Sequence, residues 1–133
     1  MSAAVCMERL DAFAVELDEL SKGLAVTERR LEPVEAQYTE WLEDYEIHLV
    51  EQAQEAGEKP PAEKLRETMA RRSVPKEIAS DYLSLVSKRR RMEKRISAIK
   101  TGIEAQRSLL SAYKMEAEGS GASLSSAPWP ISA

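Results

Sequence analysis

Residues 10–31 read LDAFAVELDELSKGLAVTERRL, and the spacing of their apolar side chains decides the fold. With Leu10 as heptad position a, that series continues through Leu17, Leu24, Leu31, Tyr38 and Tyr45. The d series is Phe13, Leu20, Thr27, Val34, Trp41 and His48. An apolar stripe recurring about every 3.5 residues is the mark of a helix packed lengthwise against another helix. Two residues interrupt it. Gly23 costs about 1 kcal/mol inside a helix, and Pro33 removes a backbone donor and crowds the preceding turn. A kink or break is therefore expected near residues 30–33.

Working outward, the first helical region, about residues 7–56, ends at Gly57-Glu58-Lys59-Pro60-Pro61. Glycine suits the position just past a helix end, and two prolines cannot continue the hydrogen-bond ladder. A short amphipathic helix is expected over 62–72. Ser73-Val74-Pro75 then reads as a stop followed by a new start, with Ser73 as the expected cap. A long helix follows over 76–118, with a stripe of Ile78, Tyr82, Leu85, Arg89, Met92, Ile96, Ile99, Ile103, Gln106, Leu110, Tyr113 and Ala117. The expected fold is all-α: a long antiparallel helical hairpin, coiled-coil-like, kinked near Pro33. Residues 1–118 form one oligomerisation and binding domain in this reading, and 119–133 a flexible, uncharged Gly/Ser-rich tail. Two helices bury little apolar area on their own, so a homo-oligomer is expected. Leu42, Leu49, Leu83, Val86 and Leu109 widen the stripes, as contact with more than one neighbour requires.

Composition narrows the function. The chain has 133 residues, of which 32% are charged and 5% aromatic, with one Cys, one His and five Gly. That inventory is too poor for a disulfide framework, a Cys/His zinc site, a Ser-His-Asp triad or a Gly-rich phosphate loop. No enzyme, catalytic residue, metal or cofactor is expected. No stretch approaches the roughly 20 apolar residues of a membrane span. The start of the chain lacks a basic segment before a long apolar run, and a lone Cys6 suits a reducing cytoplasm, so a cytoplasmic protein is expected.

The net charge of −4 conceals two opposed blocks. Residues 1–58 hold 15 Asp and Glu against 4 Lys and Arg, whereas residues 59–100 hold 13 Lys and Arg against 5 Asp and Glu. The densest basic run is Lys88-Arg89-Arg90-Arg91-Met92-Glu93-Lys94-Arg95, with Arg71, Arg72 and Lys76 upstream. On a helix Lys88, Arg91 and Arg95 share a face, and Lys94 lies one turn beyond Arg90. Two readings stay open. The cations track a phosphate backbone, giving a nucleic-acid site at Arg71, Arg72, Lys76, Lys88, Arg90, Arg91, Lys94 and Arg95. Alternatively they are solvated or spent on salt bridges to Glu35, Glu40, Glu43, Asp44, Glu46, Glu51 and Glu55 of the facing helix. Arg89 falls on the apolar stripe itself and must snorkel or pair.

The aromatic residues Tyr38, Trp41, Tyr45, Tyr82 and Tyr113 could stack on bases, but their stripe positions favour core packing. His48, also on the stripe, is read as an interior or register-setting residue. In the tail, Trp129 with Pro130 and Ile131 is read either as a partner-docking motif or as a segment folded back on the helices.

The layout resembles the UvsY-type phage recombination mediators. The resemblance covers residues 30–118: the aromatic-bearing stretch Tyr38, Trp41, Leu42 and Tyr45, the break at Gly57, and a long helix closing with Ile103-Glu104-Ala105-Gln106-Arg107-Ser108 before a polar tail. It implies a ring-like homo-oligomer that binds single-stranded DNA and loads a RecA-like recombinase, alongside a single-strand-binding protein. In that family basic residues lie close to the aromatic stretch. Residues 34–56 here contain no Lys or Arg, so the DNA contact would shift to Arg71, Arg72, Lys76 and 88–95. The competing expectation is a coiled-coil assembly, adapter or phage scaffold protein whose C-terminal tail docks a protein partner.

Overall fold

The computed structural model describes residues 2–122. It contains three helices, α1 (Ala3–Glu55), α2 (Glu63–Ser73) and α3 (Lys76–Ala122), and no strand among the described residues. The protein is all-helical. None of the described helices is long and apolar enough to cross a membrane. Trp129, Pro130 and Ile131 lie outside the described residues.

Local chemistry accounts for the helix ends. Ser2 caps α1: its Oγ accepts a hydrogen bond from the Val5 amide at 3.3 Å, and its carbonyl accepts from Cys6 at 3.1 Å. At the other end Gly57 adopts φ +68°, the left-handed region that glycine enters without a Cβ penalty. The Glu58 amide then reaches back to the Ala53 carbonyl at 2.8 Å and the Gly57 amide to Gln54 at 3.1 Å. This 6→1 and 5→2 pair is a Schellman motif, and it uses carbonyls that the helix end would otherwise leave unpaired. α3 opens on Pro75, whose carbonyl accepts from Ala79 at 3.0 Å.

α1 is a single helix through Pro33, so of the kink or break expected at 30–33 the break does not occur. Thr27 and Leu31 on the near side are each 2% exposed, and Val34 and Tyr38 on the far side are partly buried. Burying Leu31 alone is worth about 2 kcal/mol, comparable to the roughly 3 kcal/mol that a mid-helix proline costs.

The chain divides into two compact units, one built from residues up to Lys22 together with those from Glu93 onward, the other from Gly23–Met92. In the first, Cys6 and Ile99 are buried, and the Phe13 ring lies against Gly102. A Cβ at Gly102 would stand 2.9 Å from Phe13 Cζ, so the ring occupies the space that a side chain would need. Gln106 is buried as well, with no hydrogen-bond partner for its Oε1 among the described residues.

In the second unit Leu31, Leu49, Ala53, Ala70 and Val74 form the buried apolar set. The Tyr38 and Tyr82 rings stack with centroids 4.2 Å apart and planes 9° from parallel. Thr27, buried on the stripe, donates its hydroxyl to the Gly23 carbonyl at 2.9 Å and lies 3.7 Å from Met92 Sδ. Gly23 admits the Met92 methyl, which an added Cβ would meet at 3.2 Å.

Candidate functional site

The expected nucleic-acid contacts of the second unit come from two helices. α2 ends with Arg71 and Arg72, and α3 supplies Lys76, Lys88, Arg90 and Arg91; all six are exposed. Arg71 pairs with Glu67 one turn earlier at 3.8 Å. Arg72, Lys76, Lys88, Arg90 and Arg91 have no ion-pair partner among the described residues. The acidic side chains expected to neutralise them, Glu35, Glu40, Glu43, Asp44, Glu46, Glu51 and Glu55, make no salt bridge among the described residues either. Charge of both signs is left facing water. Arg89, on the stripe, is half-buried.

The first unit treats its cations differently. Lys94 is exposed and has no partner among the described residues. Arg95 is held in a two-pronged contact, Nε to Glu16 Oε2 at 2.6 Å and Nη2 to Glu16 Oε1 at 2.8 Å. The hydrogen bonds from Arg95 keep the Glu16 carboxyl below its ordinary pKa, and the same contact raises that of Arg95. A planar guanidinium meeting both carboxylate oxygens is a geometrically specific pair. Arg95, like Arg71, thus already has a carboxylate partner among the residues expected to contact nucleic acid.

A second feature lies on α1 in the Gly23–Met92 unit. Trp41, Asp44, Tyr45 and His48, at i, i+3, i+4 and i+7, line an open groove of about 240 Å³. Trp41 is 39% exposed and His48 is exposed, so neither occupies the interior position that the heptad count gave it. The reason is geometric. A straight helix drifts about 20° per heptad against a 3.5-residue repeat. Five heptads on, the buried face has moved by one residue, from Trp41 and His48 to Leu42 and Leu49.

Trp41 is nonetheless fixed in place. Its indole Nε1–H donates to Ser73 Oγ at 2.9 Å, and the Ser73 hydroxyl donates to the Ala70 carbonyl at 2.6 Å. Ser73 is the last residue of α2 rather than the cap of α3, because its hydroxyl is committed to these two partners. Nothing in the spacing of a tryptophan and a serine 32 residues apart announces this contact. The Tyr45 and His48 rings complete the groove, with centroids 6.3 Å apart and planes at 56°.

Among the described residues no three His, Cys, Asp or Glu side chains gather as a metal ion would require. Compared with protein-family models, curated proteins and solved structures, the chain has no match.

Proposed function

We propose that this chain is a non-enzymatic accessory protein that binds single-stranded nucleic acid and assists the loading of a RecA-like recombinase, in the manner of the recombination mediators it resembles. The observation that carries this reading is the set of five exposed cations, Arg72, Lys76, Lys88, Arg90 and Arg91, with no carboxylate partner among the described residues. A protein gains nothing in stability from unpaired like charges on two successive helices, whereas an anionic backbone neutralises them and releases its counterions. A cytoplasmic setting, where the single thiol stays reduced, suits such a role.

The mediator reading includes a helical hairpin that self-associates. Contact pairs inside each unit support antiparallel pairing of α1 with α3. In the first unit the step forward from Phe13 to Glu16 goes with a step back from Gly102 to Arg95. In the second, the step from Thr27 to Tyr38 is matched by one back from Met92 to Tyr82. The alternative, a coiled-coil assembly or adapter protein, draws on a different observation: Trp41, Ile47, Leu65 and Leu83 are large apolar side chains exposed in one unit.

Fluorescence anisotropy of labelled single-stranded and duplex oligonucleotides over a salt series tests the proposal. Five phosphate contacts predict a slope of about −3.5 in log K against log salt for a single strand. Arg90→Glu with Arg91→Glu should remove most of the binding while leaving helix content unchanged. Equal affinity for the variant, or no binding at low salt, overturns the nucleic-acid reading and favours the assembly protein.

A further inference from the structure

We infer that the Trp41–His48 groove is a receptor for a cationic side chain, and that its occupant is the Lys88–Arg91 segment of a second copy of this chain. The inference goes beyond the nucleic-acid reading but shares Lys88, Arg90 and Arg91 with it, so at those residues the two modes of binding exclude one another. It begins with the hydrogen-bonded edge of Trp41. A half-exposed tryptophan ordinarily turns among several rotamers, but here Ser73, itself anchored to the Ala70 carbonyl, grips the indole N–H. The ring is thereby presented before any partner arrives, which lowers the entropic cost of binding.

The chemistry of the groove selects the ligand. Trp41 and Tyr45 line the groove with aromatic rings, whose π systems attract a guanidinium or ammonium group, and Asp44 supplies a full negative charge beside them. Stacking a nucleobase on the same rings would bring phosphates against Asp44, Glu40 and Glu43. Residues 34–56 contain seven Asp and Glu and no Lys or Arg to offset that repulsion. The groove therefore repels a nucleic acid and attracts a basic segment.

Charge complementarity identifies the source of that segment. The matching cations, Lys88 and Arg91 on one face of α3 and Arg90 beside Arg91, are carried by the chain itself, and none of these residues finds a carboxylate within its own copy among the described residues. Guanidinium groups stack on aromatic faces better than ammonium groups do, which places Arg90 or Arg91 against Trp41 and leaves Lys88 to the surrounding carboxylates. Two copies related by a two-fold axis make the contact twice, each giving a basic segment and receiving one.

The test uses the full chain carrying Trp129→Phe, which leaves Trp41 as its only tryptophan. Sedimentation equilibrium and Trp41 emission are followed over the same dilution series at low salt. The expected result is a salt-sensitive association whose midpoint coincides with a change in Trp41 emission. Asp44→Lys and Arg90→Glu/Arg91→Glu should each abolish that change. Mixing these two variants should restore association between them, because one of the two contacts then keeps its native pairing and the other pairs with reversed signs. Trp41→Ala should weaken association by about two- to fivefold per contact.

A chain that stays monomeric at every concentration overturns the inference. So does association that leaves Trp41 emission unchanged or that is indifferent to Asp44→Lys. If single-stranded nucleic acid alters Trp41 emission in the Arg90→Glu/Arg91→Glu variant, the groove is a base-stacking site and the inference fails.

Discussion

Arg91 and Arg95 lie one helical turn apart on α3, yet one is bare and the other is clasped. In its unit Arg95 meets Glu16 through two short hydrogen bonds, whereas Arg91 meets no carboxylate among the described residues of its own. Identical side chains on one helix thus meet different partners according to what α1 presents in each unit. A basic run in a sequence is therefore an upper bound on a binding surface, and its true extent is what remains after structural pairing.

The most forceful way to break this contrast is to reverse the bare cations. Arg90→Glu with Arg91→Glu should weaken single-strand binding by about 25-fold or more near 0.1 M salt, measured by anisotropy, since each lost phosphate contact accounts for roughly a fivefold factor there. Arg95→Gln should change that affinity by no more than about twofold, because its charge is already neutralised by Glu16. A comparable loss from both variants would erase the distinction.

The glycines sharpen the comparison between units. Gly102→Ala forces a methyl group against the Phe13 ring at 2.9 Å, and thermal unfolding should show a net loss of about 1–2 kcal/mol, overpacking outweighing the helix propensity gained. Gly23→Ala meets only the mobile end of Met92 at 3.2 Å. There the melting temperature should change little, since the methionine can swing aside and alanine favours the helix.

The smallest effect concerns pH. The Glu16 carboxyl titrates below its ordinary value in the folded chain because Arg95 hydrogen-bonds its ionised form. Its contribution to stability is present above the unfolded-state pKa and is lost as pH falls through the lowered folded-state value. Glu16→Gln should flatten that part of the acid-unfolding profile, followed by circular dichroism, and lower stability slightly near neutrality without changing its slope there.

Much of the fold is legible in apolar spacing, and the departures have identifiable causes. Along α3 every stripe position from Ile78 to Tyr113 is at least partly shielded, and only Ala117 is exposed. Along α1 the heptad count holds to Tyr38 and then slips at Trp41 and His48, where accumulated drift overtakes a fixed repeat. Pro33 shows that a local rule can yield to burial on both sides of it. Gly23 and Gly102 look like defects in a helix until the facing Met92 and Phe13 are known, which no local pattern supplies. The candidate cations are visible as residue types, but their pairing is a property of distances. Ser73 reads as a cap by position, yet its hydroxyl holds Trp41 instead.

The burial of Cys6 has a practical consequence. It is the chain's single thiol, and its side chain is shielded from solvent within the first turns of α1. An alkylating reagent can reach it only when that end of the helix opens, so the labelling rate is a built-in clock for local unfolding. A second copy or a nucleic acid that stabilises the first unit should slow the clock. A cysteine introduced on any exposed face should react ahead of it, giving a selectively labelled protein with no need to remove the native thiol.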